Sequence, residues 1–270
     1  MLKLIASDLD GTLLNSKKEI SKKCEANIKK FIQSNNYFVM CSGRPKYRVK
    51  KYLSLLDVKG YSQYYIGFNG ALVFDVKNNK SIFSKTLSRE EANKVVQIAK
   101  ENDVCVSIYT FDTVYTEKVS DYILENKIYE GVNFVLCDNL LSVKLNGDIY
   151  KVLFVDEPTK IAKVRSLLKE DIYECYNIVS SAPHYLEFMN KQTSKGNALR
   201  LLCEYLNIDL REVMAIGDAE NDLSMLKLVS FSVAMENSEK EVKDICHYQT
   251  LSNDNDGVNL ILEKVLREEL

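Results

Sequence analysis

Two aspartates, Asp8 and Asp10, stand directly after a short apolar segment near the start of the chain. Residues 2–7 read LKLIAS, a pattern that predicts a buried strand, and a carboxylate at the end of such a strand loses part of its hydration. That loss is tolerated where a bound group compensates the negative charge. The position of Asp8 and Asp10 therefore indicates a chemical role at the end of a strand.

Five further polar clusters follow predicted strands or begin predicted helices, and each of them contains a glycine. The first cluster, which contains Asp8 and Asp10, is DLDGT at 8–12. The five further clusters are CSGR at 41–44, FNGA at 68–71, TSKG at 193–196, GDAEND at 217–222 and NDNDGV at 253–258. In an open α/β sheet, ligands bind outside the carboxyl ends of the strands. We therefore expect these clusters to converge on one site.

The acidic residues of these clusters predict a cation site. Four carboxyl groups would meet around one point, those of Asp8, Asp10, Asp218 and Asp222. Such a group of oxygen ligands suits a hard cation, and Mg²⁺ in particular. Lys195 adds a positive charge and Ser42 a hydroxyl, which together with backbone N–H groups at a glycine turn suit a phosphoryl dianion.

The clusters are connected by alternating strand-like and helix-like segments, which is typical of βα units and a parallel sheet. The predicted strands are Leu2–Ser7, Tyr37–Cys41, Tyr64–Phe68, Val213–Ile216, Phe231–Ala234 and His247–Leu251. The predicted helices are Ser21–Ser34, Lys46–Leu56, Gly196–Leu206, Glu220–Lys227, Ser238–Lys243 and Asp256–Leu266. This order predicts an α/β fold with a Rossmann-like, doubly wound parallel sheet.

Residues 83–187 show a different, strand-pair-rich pattern. A helix is predicted over Ser88–Asn102, because Ser88 and Glu91 can form a capping box. The other predicted elements are strands at Val104–Tyr109, Val114–Thr116, Ile149–Val155, Ile172–Val179 and Tyr185–Met189, and helices at Ser120–Tyr129 and Thr159–Lys169. We interpret residues 83–187 as an inserted α+β cap domain of the αββ type, between the two halves of the core, 1–82 and 188–270.

Composition limits the classes of partner. The formal net charge is -2, which argues against a broad nucleic-acid-binding surface, and no apolar run approaches the ~18 residues of a membrane span. The N-terminus has no secretory signal pattern, and the seven cysteines form no CxxC pair. We therefore expect a cytoplasmic protein with no nucleic-acid or membrane partner, present as a monomer or a weak homodimer.

The ordered motifs resemble those of the haloacid dehalogenase superfamily of phosphotransferases. The resemblance rests on DLDGT near the N-terminus, Ser42 after the second strand, Lys195 before a helix, and GDAENDLSML at 217–226. FNGA, the inserted segment that follows it and the closing NDNDGV are similar to the Cof-type branch of that superfamily. The resemblance spans the whole chain, and it implies a Mg²⁺-dependent phosphatase that acts on small phosphate esters.

The resemblance also implies a role for each motif residue. Asp8 would be the nucleophile that forms an aspartyl-phosphate, and Asp10 would be the general acid and base. Mg²⁺ would be held by Asp8, the main-chain carbonyl of Asp10 and Asp218, with Asp222 as a further ligand or a close neighbour. The phosphoryl oxygens would be bound by Ser42, Lys195, Asn221 and the backbone of Leu9 and Gly43.

Several alternatives stay open on the sequence alone. A phosphomutase of the same superfamily would pass the phosphoryl group to a sugar hydroxyl, and a non-catalytic module would only bind a phosphorylated ligand. Sugar phosphates, phosphorylated cofactors and nucleotides are all possible substrates. Asn69 shapes either the substrate pocket or only its own loop, and Arg44 reaches either an anion or solvent.

Overall fold

The computed structural model describes residues 2–119, 121–125 and 133–270. These residues form fourteen strands, which in chain order are β1 Leu4–Asp8, β2 Tyr37–Cys41, β3 Tyr64–Gly67, β4 Leu72–Asp75, β5 Lys80–Ser84, β6 Cys105–Tyr109, β7 Val114–Thr116, β8 Phe134–Leu136, β9 Lys151–Val155, β10 Tyr176–Val179, β11 Tyr185–Asn190, β12 Val213–Gly217, β13 Phe231–Ala234 and β14 Tyr248–Gln249.

The same residues form ten α-helices and four short 3-10 turns. The helices are α1 Lys22–Gln33, α2 Lys46–Leu55, α3 Arg89–Glu101, α4 Asp121–Glu125, α5 Pro158–Leu167, α6 Glu170–Cys175, α7 Lys195–Leu206, α8 Leu223–Leu226, α9 Lys240–Ile245 and α10 Gly257–Leu266. The 3-10 turns are Phe68–Gly70, Leu210–Glu212, Glu220–Asp222 and Asn253–Asn255. Among the described helices, none combines the length and the apolar character that crossing a bilayer requires.

The chain divides into two compact units. The first consists of the described residues of Met1–Arg44, Val49–Ser84 and Ser194–Leu270, and the second of those of Pro45–Arg48 and Lys85–Thr193. The second unit overlaps the interval 83–187 that the sequence predicts as an insertion. The predicted boundary after residue 187 falls inside β11, because that strand continues to Asn190, which pairs with Tyr176 of β10.

The first unit contains an eight-stranded sheet in the order β14-β13-β12-β1-β2-β3-β4-β5. The six strands from β14 to β3 are parallel, which confirms the predicted α/β class with a large parallel sheet. Leu4 and Ala6 pack on one face in a core with Leu202 of α7, and Ile5 faces the other side because side chains alternate along a strand. The strand β1 is buried along its whole length, so Asp8 enters the site from the centre of the sheet.

Two features at the other edge of this sheet differ from the sequence prediction. The antiparallel strands β4 and β5 extend the sheet beyond β3, although neither was expected. Their segments are short, and the exposed outer strand β5 lacks the continuous apolar run by which the parallel strands were found. The last strand, β14, is only Tyr248–Gln249, shorter than the predicted His247–Leu251.

The second unit contains a six-stranded sheet in the order β10-β11-β9-β6-β7-β8. Its strands are antiparallel except for the β7–β8 pair, and Val95, Val106 and Phe154 lie in one apolar cluster with the other buried residues of α3 and the sheet. The predicted capping box of α3 is present, with Ser88 and Glu91 bonding to each other's backbone N–H groups. Each hydrogen bond satisfies a donor that the first helical turn leaves open.

Two predictions for the second unit need correction or completion. The segment predicted as a strand over Ile172–Val179 begins with helix α6 and becomes strand β10 only at Tyr176. Glu170 and Asp171 occupy the first turn of α6, where negative charge is favoured by the helix dipole. Of the helix predicted over Ser120–Tyr129, the structure describes α4, and residues 126–129 lie outside the described residues.

Candidate active site

Three carboxylates of the first unit lie close together at the C-terminal ends of β1 and β12, next to the N-terminus of α7. Asp8 is the last residue of β1, Asp218 follows β12, and Asp222 closes the 3-10 turn after it. One oxygen from each of the three side chains lies within 4.8 Å of the others. This distance is short enough for a single ion to contact all three.

Lys195 is placed between two of these carboxylates by the N-terminus of α7. Its Nζ donates to Oδ1 of Asp8 at 2.6 Å and to Oδ1 of Asp222 at 2.6 Å, and its side chain is fully buried. Burial disfavours the charged form, but Asp222 and Asp8 outweigh that cost and raise the pKa of Lys195 above its usual range. Lys195 is therefore a fixed positive charge in the site.

Both carboxylate oxygens of Asp222 accept hydrogen bonds. Oδ1 accepts from Lys195, and Oδ2 accepts from the backbone N–H groups of Asp218 at 3.0 Å and Ala219 at 3.2 Å. A Cβ on Gly217 would lie 2.6 Å from the Asp222 side chain, so only glycine leaves room for this close approach. Asp222 thus holds both the lysine and the loop that carries Asp218.

Asp218 is oriented by a hydroxyl from the loop after β1. Thr12 Oγ1 donates to Asp218 Oδ1 at 2.5 Å. Gly11 has a φ of +83°, and a Cβ there would lie 2.4 Å from Asp218 Oδ2, so a side chain at position 11 is excluded by conformation and by space. Burial, with the negative charge of Asp222, raises the pKa of Asp218 to about 7.

The cluster has more negative than positive charge. Burial raises the pKa of Asp8 well above its ordinary value, because the attraction of Lys195 does not offset burial together with Asp222 and Asp218. Three ionised carboxylates and one lysine would leave a net charge of about -2, a costly state for a buried group of side chains. Among the described residues, no donor pairs with Oδ2 of Asp8 or of Asp218. The oxygen-only ligand set, the charge and these two open oxygens fit a divalent cation.

The carboxyl group of Asp10 does not join this cluster, although the sequence places all four carboxylates together. Arg44 donates two hydrogen bonds to the Asp10 carboxylate, from Nε to Oδ2 at 2.7 Å and from Nη2 to Oδ1 at 2.5 Å. Lys18 Nζ also donates to Oδ1 of Asp10, at 2.7 Å. Burial opposes ionisation, but Arg44 and then Lys18 outweigh it and lower the pKa of Asp10. Only the main chain of Asp10 is therefore available to a cation next to Asp8.

The predicted phosphate-binding residues lie on neighbouring loops of the same unit. Ser42 is buried, its Oγ accepts from the backbone N–H of Arg44 at 3.2 Å, and its carbonyl accepts from the N–H of Asn69 at 3.0 Å. The carbonyl of Leu9 accepts from the N–H of Leu14 at 2.8 Å, which shapes the turn after β1. Asn221 Nδ2 donates to Asn69 Oδ1 at 3.0 Å.

Sequence reasoning missed three contributors to this site. Thr12 was noted only as part of DLDGT, Lys18 was not considered, and Arg44 was left undecided between an anion and solvent. The glycine turn in CSGR and the polar loop after DLDGT signal a site. They do not show that Arg44 and Lys18 reach back to Asp10, which depends on where the two loops lie in the fold.

The comparisons with known proteins agree with this geometry. The family model for haloacid dehalogenase-like hydrolases matches residues 5–262. The chain belongs to that family. A haloacid dehalogenase-like hydrolase from Bacteroides thetaiotaomicron has a TM-score of 0.86 and 29% identity, with 98% of this chain and 100% of that chain covered. The superfamily resemblance and the fold class predicted from the sequence are thereby confirmed.

Three relatives from Bacillus subtilis (strain 168) cover almost the whole length of this haloacid dehalogenase-like hydrolase. YxeH is 33% identical, with 96% of each chain covered. Phosphatase YwpJ is 28% identical, with 98% of this chain and all of the relative covered. The 5-amino-6-(5-phospho-D-ribitylamino)uracil phosphatase YwtE is 29% identical, with 98% of each covered. These matches confirm the predicted enzyme class, a phosphatase.

Proposed function

We propose that this enzyme is a Mg²⁺-dependent phosphatase that hydrolyses small phosphorylated metabolites through an aspartyl-phosphate on Asp8. The observation that carries the proposal is the buried group of Asp8, Asp218 and Asp222 around Lys195. Its charge is unbalanced without a cation, and its nucleophile candidate stands at the end of the central strand. A site with only a structural role would be expected to balance its buried charges within the protein.

Asp8 and Asp218 are the side chains best placed to hold Mg²⁺, with the main-chain carbonyl of Asp10. Each of the two side chains keeps an oxygen without a donor among the described residues. Asp222, whose oxygens are already engaged, would fix Lys195 and the Asp218 loop beside the ion. When bound, the cation supplies positive charge that reduces the repulsion between the carboxylate and the phosphate dianion.

In the first chemical step, a carboxylate oxygen of Asp8 attacks phosphorus. The bond from phosphorus to the ester oxygen breaks, and the leaving alkoxide takes a proton from Asp10. In the second step, a water attacks the aspartyl-phosphate, Asp10 takes the proton of that water, and inorganic phosphate and the free Asp8 carboxylate are formed. Lys195 donates to Asp8 Oδ1 and so fixes the orientation of the carboxylate in the site.

The hydrogen bonds from Arg44 and Lys18 to Asp10 must break before Asp10 can act as a general acid. Both oxygens of Asp10 accept hydrogen bonds from these cations, and the lowered pKa favours the ionised form, which has no proton to give. We propose that Asp10 turns away from Arg44 when a phosphate ester is bound. The geometry in this structure then corresponds to a resting arrangement of the acid.

The transferring phosphoryl group would be held by Lys195, Ser42, Asn221 and the backbone N–H groups of Leu9 and Gly43. Ser42 and Asn221 are both buried on loops that bond to the Phe68–Gly70 turn, so their positions are defined before substrate arrives. Prearranged donors of this kind stabilise the charge of the transition state without reorganisation. The phosphoryl oxygens are therefore bound mainly by groups whose positions are already fixed by the folded core.

We propose that residues 85–193, the main part of the second unit, form the cap that recognises the leaving group. We also propose that the substrate is a sugar phosphate or a phosphorylated cofactor in the cytoplasm. The relative YwtE is named for a compound in which a phosphorylated ribityl chain is joined to a uracil ring. That compound belongs in any substrate panel, together with simple sugar phosphates, pyridoxal phosphate and flavin mononucleotide.

The proposal is tested by measuring inorganic phosphate released from this panel and from an aryl phosphate, with Mg²⁺ and with a chelator. We expect release that requires Mg²⁺ and is fastest for one class of metabolite. Isomerised sugar phosphate without net phosphate release would instead indicate a phosphomutase. Tight binding of a phosphorylated ligand without turnover would indicate a binding module, and either result would contradict the phosphatase assignment.

A further inference from the structure

The turn at Phe68–Gly70 has an unusual backbone. Phe68, Asn69 and Gly70 follow one another with φ of 49°, 53° and 99°, all in the left-handed region. Two of the three carry side chains, and the bulky ring of Phe68 is fully buried, so the conformation costs free energy. Glycine at 70 is required by space as well, since a Cβ there would lie 2.1 Å from the carbonyl oxygen of Ser194.

Hydrogen bonds hold this turn against the phosphate-binding loop. The N–H of Asn69 donates to the carbonyl of Ser42 at 3.0 Å, and the N–H of Phe68 donates to the carbonyl of Arg44 at 3.3 Å. The hydroxyl of Tyr65 also donates to the Arg44 carbonyl. The strained turn is therefore fixed to the segment 42–44, on which Ser42 and Gly43 are predicted to bind phosphate.

The side chain of Asn69 lies between two predicted phosphate-binding groups. Its Oδ1 accepts from Asn221 Nδ2 at 3.0 Å. A Cβ on Gly43 would lie 2.9 Å from Asn69 Nδ2 and 3.1 Å from its Oδ1, so the missing side chain of Gly43 leaves the space that the amide occupies. The Asn69 amide thus bonds to the Asn221 side chain and lies next to Gly43.

One donor of this amide has no acceptor. Asn69 is 2% exposed, yet its Nδ2 makes no hydrogen bond to any part of the chain that the structure describes. A buried N–H group without a partner is destabilising, and such groups require an explanation such as a missing ligand. The neighbouring groups, Gly43 and Asn221, are those predicted to bind a phosphoryl oxygen.

We propose that Asn69 belongs to the phosphate site of this enzyme: its Nδ2 donates to a phosphoryl oxygen, while its Oδ1 holds Asn221 so that Asn221 can donate to the same group. The inference rests on the proposed function for the identity of the anion. It explains why a strained turn is kept next to Ser42, because the left-handed backbone at 69 directs the amide between the two loops.

The test compares the binding of inorganic phosphate, in the presence of Mg²⁺, to the wild type and to two variants at position 69. Asn69→Gly removes the amide but accepts a positive φ, so the backbone of the turn is preserved. Asn69→Asp keeps an acceptor for Asn221 and a residue that tolerates this backbone, but it replaces the free donor with a negatively charged oxygen. Asn207→Gly is the matched control, since Asn207 has a φ of 55° at the C-terminal end of α7.

We expect Asn69→Gly to weaken phosphate binding about tenfold and Asn69→Asp to weaken it further, because a carboxylate would face the phosphate. Asn207→Gly should bind phosphate as the wild type does, and thermal melting without phosphate should report folded protein for every variant. Asn69→Gly with wild-type phosphate affinity would overturn the proposal. Tighter phosphate binding by Asn69→Asp than by Asn69→Gly would overturn the direct contact through Nδ2.

Turnover measured on the same wild-type preparation separates this inference from the proposed function. A wild type that binds phosphate but releases none from any ester would contradict the phosphatase assignment, and the comparison of phosphate affinities would still decide the role of Asn69. A wild type that binds no phosphate under these conditions would overturn the role of Asn69. If that wild type still releases phosphate from esters, the phosphatase assignment holds even though the proposed role of Asn69 is rejected.

Discussion

The two units of the chain each bury a lysine, and the two lysines have different surroundings. In the second unit, Lys151 Nζ pairs with Glu187 Oε2 at 2.5 Å and lies 4.8 Å from the centre of the Tyr109 ring. One positive charge meets one negative charge there, and Ser181 donates to the second oxygen of Glu187. In the first unit, Lys195 meets Asp8 and Asp222, with Asp218 beside them.

The difference separates a structural ion pair from a site that needs a ligand. Among the residues that the structure describes, the Lys151–Glu187 pair is balanced in charge, and both carboxylate oxygens of Glu187 accept hydrogen bonds. Around Lys195 the carboxylates exceed the positive charge, and the raised pKa values of Asp8 and Asp218 express that excess. Burial alone therefore does not mark a functional lysine, whereas unbalanced charge around it does.

The largest expected effect is the loss of turnover in Asp8→Asn. The amide is nearly isosteric but is not a nucleophile, so phosphate release should fall by about 10⁴-fold or more. The protein should remain folded, because the change removes one of the mutually repelling charges. Phosphate release and thermal melting measure the two properties, and ordinary turnover by a folded Asp8→Asn protein would remove Asp8 from the mechanism.

The matched pair Lys195→Met and Lys151→Met tests the contrast between the two lysines. Lys195→Met should lower turnover by at least about 10²-fold, because Asp8 and the phosphoryl group lose their fixed positive charge. Lys151→Met should lower the free energy of unfolding by roughly 3–5 kcal/mol, since Glu187 stays buried without its partner.

Steady-state kinetics and chemical denaturation of both variants provide the comparison. We expect the ratio of kcat between wild type and variant to be much larger for position 195 than for position 151. Equal losses of kcat at the two positions would mean that the charge imbalance does not distinguish the sites.

The stability of the metal-free enzyme should depend on pH through Asp218. Its pKa of about 7 lies above the ordinary 3.8, so between these values the folded state binds more protons than the unfolded state. The free energy of unfolding should therefore fall as pH rises from about 4 to 7, by up to about 4 kcal/mol. Thermal melting in chelator checks this decline, and Mg²⁺ should reduce it.

Asp218→Asn is the control for the pH experiment. Without a titrating group at position 218, the decline of stability with rising pH should be shallower than in the wild type. A slope that is the same in both proteins would show that Asp218 does not carry the excess negative charge.

The smallest expected effect concerns the hydroxyl that orients Asp218. Thr12→Val removes the donor to Asp218 Oδ1 and should weaken Mg²⁺ binding about tenfold, whereas Thr12→Ser keeps the hydroxyl and should bind Mg²⁺ nearly as the wild type does. Isothermal titration calorimetry of each protein with Mg²⁺ measures the affinity for the cation. Equal affinities for Thr12→Val and the wild type would mean that Asp218 needs no such support.

Sequence patterns could predict that Asp8, Asp218 and Asp222 meet, because this follows from the topology of the parallel sheet. Parallel strands end at one edge of their sheet, so residues after β1 and β12 must be neighbours. The same argument does not place Lys195, which begins α7 after β11, a strand of the other sheet. The roles assigned to these residues stay predictions. The position of Asp10 could not be predicted in this way, because its side chain can turn to either side of the loop and only the fold brings Arg44 and Lys18 to it.

The second unit shows the same limit for secondary structure. The segment 170–175 is short and mixes polar and apolar residues, so its pattern suits either a strand or a single helical turn or two. Glu170 and Asp171 in the first turn favour helix α6, and its Ile172 and Tyr173 are only partly buried against the apolar cluster of the unit. The contact between Asn69 and Asn221, 152 residues apart, is likewise visible only once the loops are placed in space.

The most direct test of covalent catalysis by Asp8 is to trap the phosphorylated enzyme. Wild type and Asp10→Asn would be mixed with Mg²⁺ and an aryl phosphate, whose leaving group needs little protonation, so that the variant slows mainly the second step. The reactions would be quenched in acid and digested, and the peptide that contains Asp8 would be examined by mass spectrometry. We expect a hydroxylamine-sensitive phosphoryl group on Asp8, at higher occupancy in Asp10→Asn because hydrolysis of the intermediate is slowed. Turnover with no phosphorylated Asp8 in either protein, or with the phosphoryl group on another residue, would contradict it.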